Sequence, residues 1–109
     1  MQHLLKQGLT LVERNYRVAR GPSARGAEVD LIMKDADKEG TLVFVEVRFR
    51  HNTQYGGAAA TVSRTKQQRC ILGARHYLMT QRTLPPCRFD VVAIDGDQLS
   101  WLRGAFDAY

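Results

Sequence analysis

Short apolar runs bounded by glycine, proline and acidic turn residues divide this chain into five strand-like segments and one long helical segment. Residues 1–8 read as the last turns of a helix closed by Gly8 as its C-cap. Residues 9–18 mix apolar and polar positions as a first strand does, and the glycine-rich basic stretch 20–26 reads as a loop. Two strands follow at 27–34 and 41–49, joined by the polar turn 35–40. After a loop at 51–57 that contains the paired glycines Gly56 and Gly57, Ser63 is placed to cap a long helix. Along that helix Cys70, Ile71, Ala74, Tyr77 and Leu78 recur on one face, with Arg64, Arg69, Arg75 and His76 largely off it. Pro85 and Pro86 stop the helix, and strands at 88–94 and 98–102 flank the turn Asp95-Gly96-Asp97. A meander, a crossover helix and two more strands imply an α/β fold in which a mixed five-stranded sheet is covered on one face by the helix.

Carboxylates interrupt this pattern where apolar residues are expected. Glu28-Val-Asp30 and Glu46-Val-Arg48 lie inside apolar runs on consecutive strands. Strand side chains alternate, so Glu28 and Asp30 are expected on one face, as are Glu46 and Arg48. Pairing those strands in the matching register would bring three carboxylates and a guanidinium together. Hard oxygen donors of that kind suit a magnesium-type ion, which can assist phosphodiester hydrolysis. The structural reading stands beside it: Asp30 satisfied by donors from the 20–26 loop, and Glu46 paired with Arg48 or Arg50 of its own strand or with an arginine of the helix.

Length and charge narrow the setting. At 109 residues the chain is expected to be one domain, 1–109. Cys70 and Cys87 form neither a disulfide framework nor a metal-binding spacing; both read as small core residues in a reducing cytoplasm. No leader and no membrane-spanning run is evident, so no membrane partner is expected. The net charge of +5 is concentrated in residues 41–82, where seven arginines and lysines face the single acid Glu46. A basic tract beside acids fits phosphates brought to a metal site, and equally fits a solvated helix face. His51 and His76 stand alone, and no zinc site is inferred from them.

Five segments in order carry a resemblance: Gly26-Ala-Glu-Val-Asp-Leu-Ile32, Leu42-Val-Phe-Val-Glu-Val-Arg48, Tyr55-Gly-Gly-Ala-Ala-Ala60, Cys87-Arg-Phe-Asp-Val-Val92 and Trp101-Leu-Arg-Gly-Ala-Phe106. Together they resemble the YraN-like family of small bacterial proteins, similar to the restriction-endonuclease-like, PD-(D/E)XK superfamily that includes Holliday-junction resolvases. The resemblance implies that Asp30 and Glu46 are the metal-binding acids, with the carbonyl of Val47, and that Arg48 occupies the place of the catalytic lysine. Glu28 is implied as a further or alternative ligand, and Mg2+ or Mn2+ as the cofactor. A guanidinium stays protonated, so Arg48 can orient water or neutralise phosphate but cannot take a proton from it. Lys66, Gln67 and Arg69 resemble helix residues that contact substrate phosphate, and Arg25, Arg50 and Arg64 extend that basic surface. Tyr55-Gly56-Gly57 would let the backbone approach a phosphate.

The implied activity is a metal-dependent endonuclease acting on branched or structured DNA, and symmetric cleavage of two strands would require a two-fold homodimer. Two other readings remain open: a non-catalytic nucleic-acid-binding module, and an interaction domain of a DNA-processing complex. The resemblance also implies a longer first helix carrying a glutamate, of which residues 1–8 read as only the end; that N-terminal helix is expected to be truncated here. Asp90, Trp101 and Phe106 are expected to support the fold, with an acceptor required for the Trp101 indole N–H.

Overall fold

The computed structural model describes residues 2–18, 27–50 and 62–107. The elements follow the order read from the pattern: α1 (Gln2–Lys6), β1 (Leu9–Val18), β2 (Ala27–Asp35), β3 (Leu42–Arg50), α2 (Arg64–Leu78), β4 (Cys87–Asp95) and β5 (Gln98–Phe106). The strands lie side by side in chain order. Pairing is antiparallel except between β3 and β4, and α2 is the crossover that a parallel pair needs. The chain is α/β with a mixed five-stranded sheet, the architecture of a restriction-endonuclease-like domain.

Each sheet face gathers its own core. Val29, Ile32, Phe44 and Phe89 pack under Cys70 and Ala74 of α2, and Phe44, Phe89 and Phe106 form a stacked run with centroids 5.5 and 5.0 Å apart. Leu9, Met33, Val43, Val45 and Val92 fill the opposite face beneath Leu4 of α1. Gly73 lets α2 lie close on β2: a Cβ there would stand 2.9 Å from Val29 Cγ2 and 3.3 Å from the Glu28 nitrogen. Ser63 caps α2 as expected, its Oγ accepting from the Lys66 N–H at 3.2 Å. Gly8 ends the first helical segment with φ +93°.

Three expectations change in detail. β5 runs to Phe106 rather than ending at Leu102, because Gly104 adopts φ +59° and the ladder shifts register between Phe89 and Val91, so pairing resumes at Phe89 and Phe106. Cys87 is exposed where a core residue was expected, since it opens β4 directly after the two prolines; Cys70 is buried. On α2, Arg69 and His76 turn toward the sheet: Arg69 reaches Glu28, and Nδ1 of His76 lies 2.6 Å from the Tyr16 hydroxyl.

Candidate functional site

The site exists because β2 and β3 part company. They pair only from Leu31 opposite Val45 to Lys34 opposite Leu42, although both strands continue well past that point. Beyond it β2 stays with β1 as far as Ala27, while β3 stays with β4 as far as Arg50. Divergence leaves backbone groups on the facing edges without ladder partners, and each needs another one. The Val47 N–H finds it in Asp30, donating to Oδ2 at 2.8 Å.

Alternation along β2 also slips here. Val29 packs with the helix-side core and Leu31 with the opposite one, so the face changes at Asp30. Across the ladder, Asn15 holds the left-handed φ of +49° that asparagine tolerates better than most residues, and it forms no pair with Asp30 although their neighbours do pair.

The notch is a cavity of about 450 Å³ lined by Arg14, Asn15, Glu28, Asp30, Leu31, Glu46, Val47, Phe49, Lys66 and Arg69. The three acids expected to converge, Glu28, Asp30 and Glu46, all line this cavity. They are not equivalent. Glu28 is ion-paired, with Oε2 3.4 Å from Arg69 Nη2 and Oε1 3.7 Å from Arg17 Nη2. Asp30 is held by the Val47 amide. Glu46 is only 7% exposed, and among the described residues none donates a hydrogen bond to it or forms an ion pair with it. Burial, reinforced by the Asp30 and Glu28 carboxylates and opposed by Lys66 and Arg48, pushes its pKa up to about 7. The same surroundings hold the buried Cys70 thiol far above its ordinary value, through burial first and then Glu46 and Asp30.

Arg48 shares the helix-side direction of Glu46, opposite Ala93 of β4, and its buried Nε has no hydrogen-bond partner. It does not line the cavity, although its charge acts on Glu46. Lys66 and Arg69 reach the cavity from the first turns of α2, whose amino-terminal dipole adds to their attraction for anions. Arg64 and Gln67 face a separate groove with Gln68, Ile71, Leu72, Arg75 and Asp107, and the Gln67 amide is engaged with the Val62 carbonyl at 3.1 Å. Arg25, the Arg50 side chain, the 20–26 loop, His51 and Tyr55-Gly56-Gly57 lie outside the described residues.

Among the described residues no three His, Cys, Asp or Glu side chains are grouped so as to hold a metal ion. The donors that fit a hard divalent cation are two carboxylates, Asp30 and Glu46, with Glu28 committed to arginines. Four cavity residues had not been singled out: Arg14, Asn15, Leu31 and Phe49. Alternation assigns Phe49 to the face opposite Glu46, and only the parting of the strands opens both faces to one cavity.

Carboxylates set in the notch of a mixed sheet, under the amino-terminal turns of a crossover helix, make this a restriction-endonuclease-like domain in architecture. The profile of uncharacterised protein family UPF0102 matches residues 1–94. A UPF0102 protein of Methylibium petroleiphilum is 63% identical over 108 residues, covering 99% of this chain and 87% of that protein. UPF0102 proteins of Acidovorax sp. and Cupriavidus taiwanensis are each 54% identical over 99% of this chain, covering 78% and 76% of those proteins. The chain belongs to the UPF0102 family, the YraN-like group that its motifs resemble. Among the described residues no helix is long and apolar enough to cross a membrane.

Proposed function

We propose that this chain is a divalent-metal-dependent endonuclease domain that hydrolyses phosphodiester bonds in branched or otherwise structured DNA. The observation that carries the reading is Glu46: a nearly buried carboxylate to which none of the described residues donates, beside a second carboxylate, in a cavity rimmed by Arg14, Lys66 and Arg69. Buried like charges are unfavourable unless a cation answers them. Asp30 and Glu46 would hold Mg2+ or Mn2+, with the Val47 carbonyl as a further oxygen donor. When bound, such an ion lowers the pKa of its water and stabilises charge on the reacting phosphate.

The protein's own residues divide the remaining work. Lys66 and Arg69 attract and position the phosphate, and the α2 amino terminus favours the same charge. Arg48 neutralises charge and cannot serve as the base, because its guanidinium stays protonated. Asp30, fixed by the Val47 amide, sets the spacing of the two strands that carry the acids. Arg48 also favours the second reading, a nucleic-acid-binding module that keeps the site and has lost turnover.

Titration of manganese into the protein and into its Asp30→Asn and Glu46→Gln variants tests the proposal, followed by incubation with branched, single-stranded and duplex DNA. Uptake abolished by both substitutions, with cleavage that Asp30→Asn removes, is the expected result. Salt-dependent DNA binding without any product in manganese would establish the binding module instead. Arg48→Lys sharpens the distinction, because faster cleavage places position 48 in the reaction.

A further inference from the structure

The chain has four phenylalanines, and three of them, Phe44, Phe89 and Phe106, form the stacked core run. Phe49 is 73% exposed. Isolated exposed apolar side chains are common on protein surfaces, but this one lines the same cavity as Asp30 and Glu46. The cavity is lined by residues of β2 and β3 at and beyond the point where their pairing ends, and its lining is of two unlike kinds. Glu28, Asp30 and Glu46 with Lys66 and Arg69 of α2 form the polar one. Leu31 and Val47, which pack against the opposite core, continue with Phe49 as the apolar one.

A nucleotide has the same division. Its phosphate is anionic and its base presents a flat π-face. A phosphate drawn to Lys66 and Arg69 would leave the attached base at the apolar wall, where an exposed ring is available to stack. Aromatic side chains in basic grooves hold single strands in this way, and they accept every base because every base has a π-face. Inside a duplex both faces of a base are already stacked on neighbours, so Phe49 has nothing to engage unless the base is unpaired.

We propose that Phe49 is a stacking platform for one unpaired nucleobase, and that the cavity takes DNA with a single-stranded segment at the point of contact. The inference rests on the nucleic-acid reading of the cavity given above and names the substrate class for it.

The test is fluorescence anisotropy in chelator, with labelled oligo(dT) and an abasic sugar-phosphate strand of equal length and charge, alongside a duplex. Wild type is expected to bind oligo(dT) about tenfold more tightly than the abasic strand. Phe49→Ala is expected to remove that difference, and Phe49→Trp to keep it while its added indole fluorescence is quenched by oligo(dT). Lys66→Ala should weaken both strands alike and lower the salt slope. Because Phe49 is mostly exposed, unchanged melting of Phe49→Ala checks that the fold is intact. Equal affinity of wild type for oligo(dT) and the abasic strand, tighter binding of duplex, or a base preference retained by Phe49→Ala overturns the proposal. Metal and turnover play no part in this measurement. A base preference lost in Phe49→Ala with no cleavage in manganese therefore removes the nuclease reading and leaves the stacking site standing.

Discussion

Two buried carboxylates of this protein, Asp90 and Glu46, sit on neighbouring strands of one sheet and are treated in opposite ways. Asp90 is 0% exposed and fully answered: Trp101 Nε1 and the Gly104 N–H donate to it at 2.9 Å, and Arg88 Nε at 3.0 and 3.2 Å. Arg88 continues to Asp35 at 2.9 Å, tying β2, β4 and β5 together. Glu46 is nearly as buried, receives no hydrogen bond from the described residues, and has its pKa pushed up to about 7. One acid is part of the scaffold, with its donors supplied by the fold. The other is left with capacity for something from outside. Burial alone does not separate these two acids; the count of donors does.

The comparison breaks most visibly at Asp90. Asp90→Ala leaves the Trp101 and Gly104 donors unmatched and Arg88 short of a partner, and is expected to lower stability by about 3–5 kcal/mol in urea unfolding. Glu46→Gln is expected to do the reverse. In the unfolded chain Glu46 ionises near its ordinary 4.5, whereas the folded chain keeps the proton to about 7, so wild type loses stability as pH rises through that window. The full difference is about 3 kcal/mol, present above pH 7 and absent below pH 4.5. Glu46→Gln should therefore match wild type in acid and exceed it at pH 8 in chelator, and manganese should narrow the gap by stabilising wild type. A wild type whose stability is flat between pH 4.5 and 8 would show that Glu46 is answered after all.

Smaller effects probe how the fold presents the site. Gly73→Ala drives a methyl into Val29 and the backbone at Glu28, and is expected to destabilise by about 1–3 kcal/mol while shifting α2 away from the cavity. Manganese affinity measured on that variant reads how strictly the helix positions the site. Arg17→Ala removes an exposed partner of Glu28 at 3.7 Å and should change stability by no more than about 1 kcal/mol. A larger change there would mean that Glu28 is held more firmly than its exposure implies.

Much of this architecture was legible along the chain. The strand runs, the Ser63 cap, the Gly8 stop and the paired prolines are local signals, read by backbone rules that act over a few residues. The need of the Trp101 indole for an acceptor was equally plain, though the chain does not reveal that Asp90 supplies it. Acids inside apolar runs marked Glu28, Asp30 and Glu46, since a charge in such a run requires an answer from somewhere. Their inequality was not legible: Glu28 meets Arg17 from β1 and Arg69 from α2, contacts made across 11 and 41 positions of chain. Nor was the exposure of Cys87, which follows from where β4 begins rather than from its residue type.

The sequence by itself determined the elements, their order and the residue types at the candidate site, because capping, turn chemistry and hydrophobic period are short-range. Only the tertiary structure decided that β2 and β3 separate after four pairs, that the Val47 amide turns to Asp30, and that Phe49 joins the acids in one cavity. Strand divergence depends on which neighbour each strand keeps, β1 for β2 and β4 for β3. That competition for backbone hydrogen bonds is settled by the whole sheet and by no single segment.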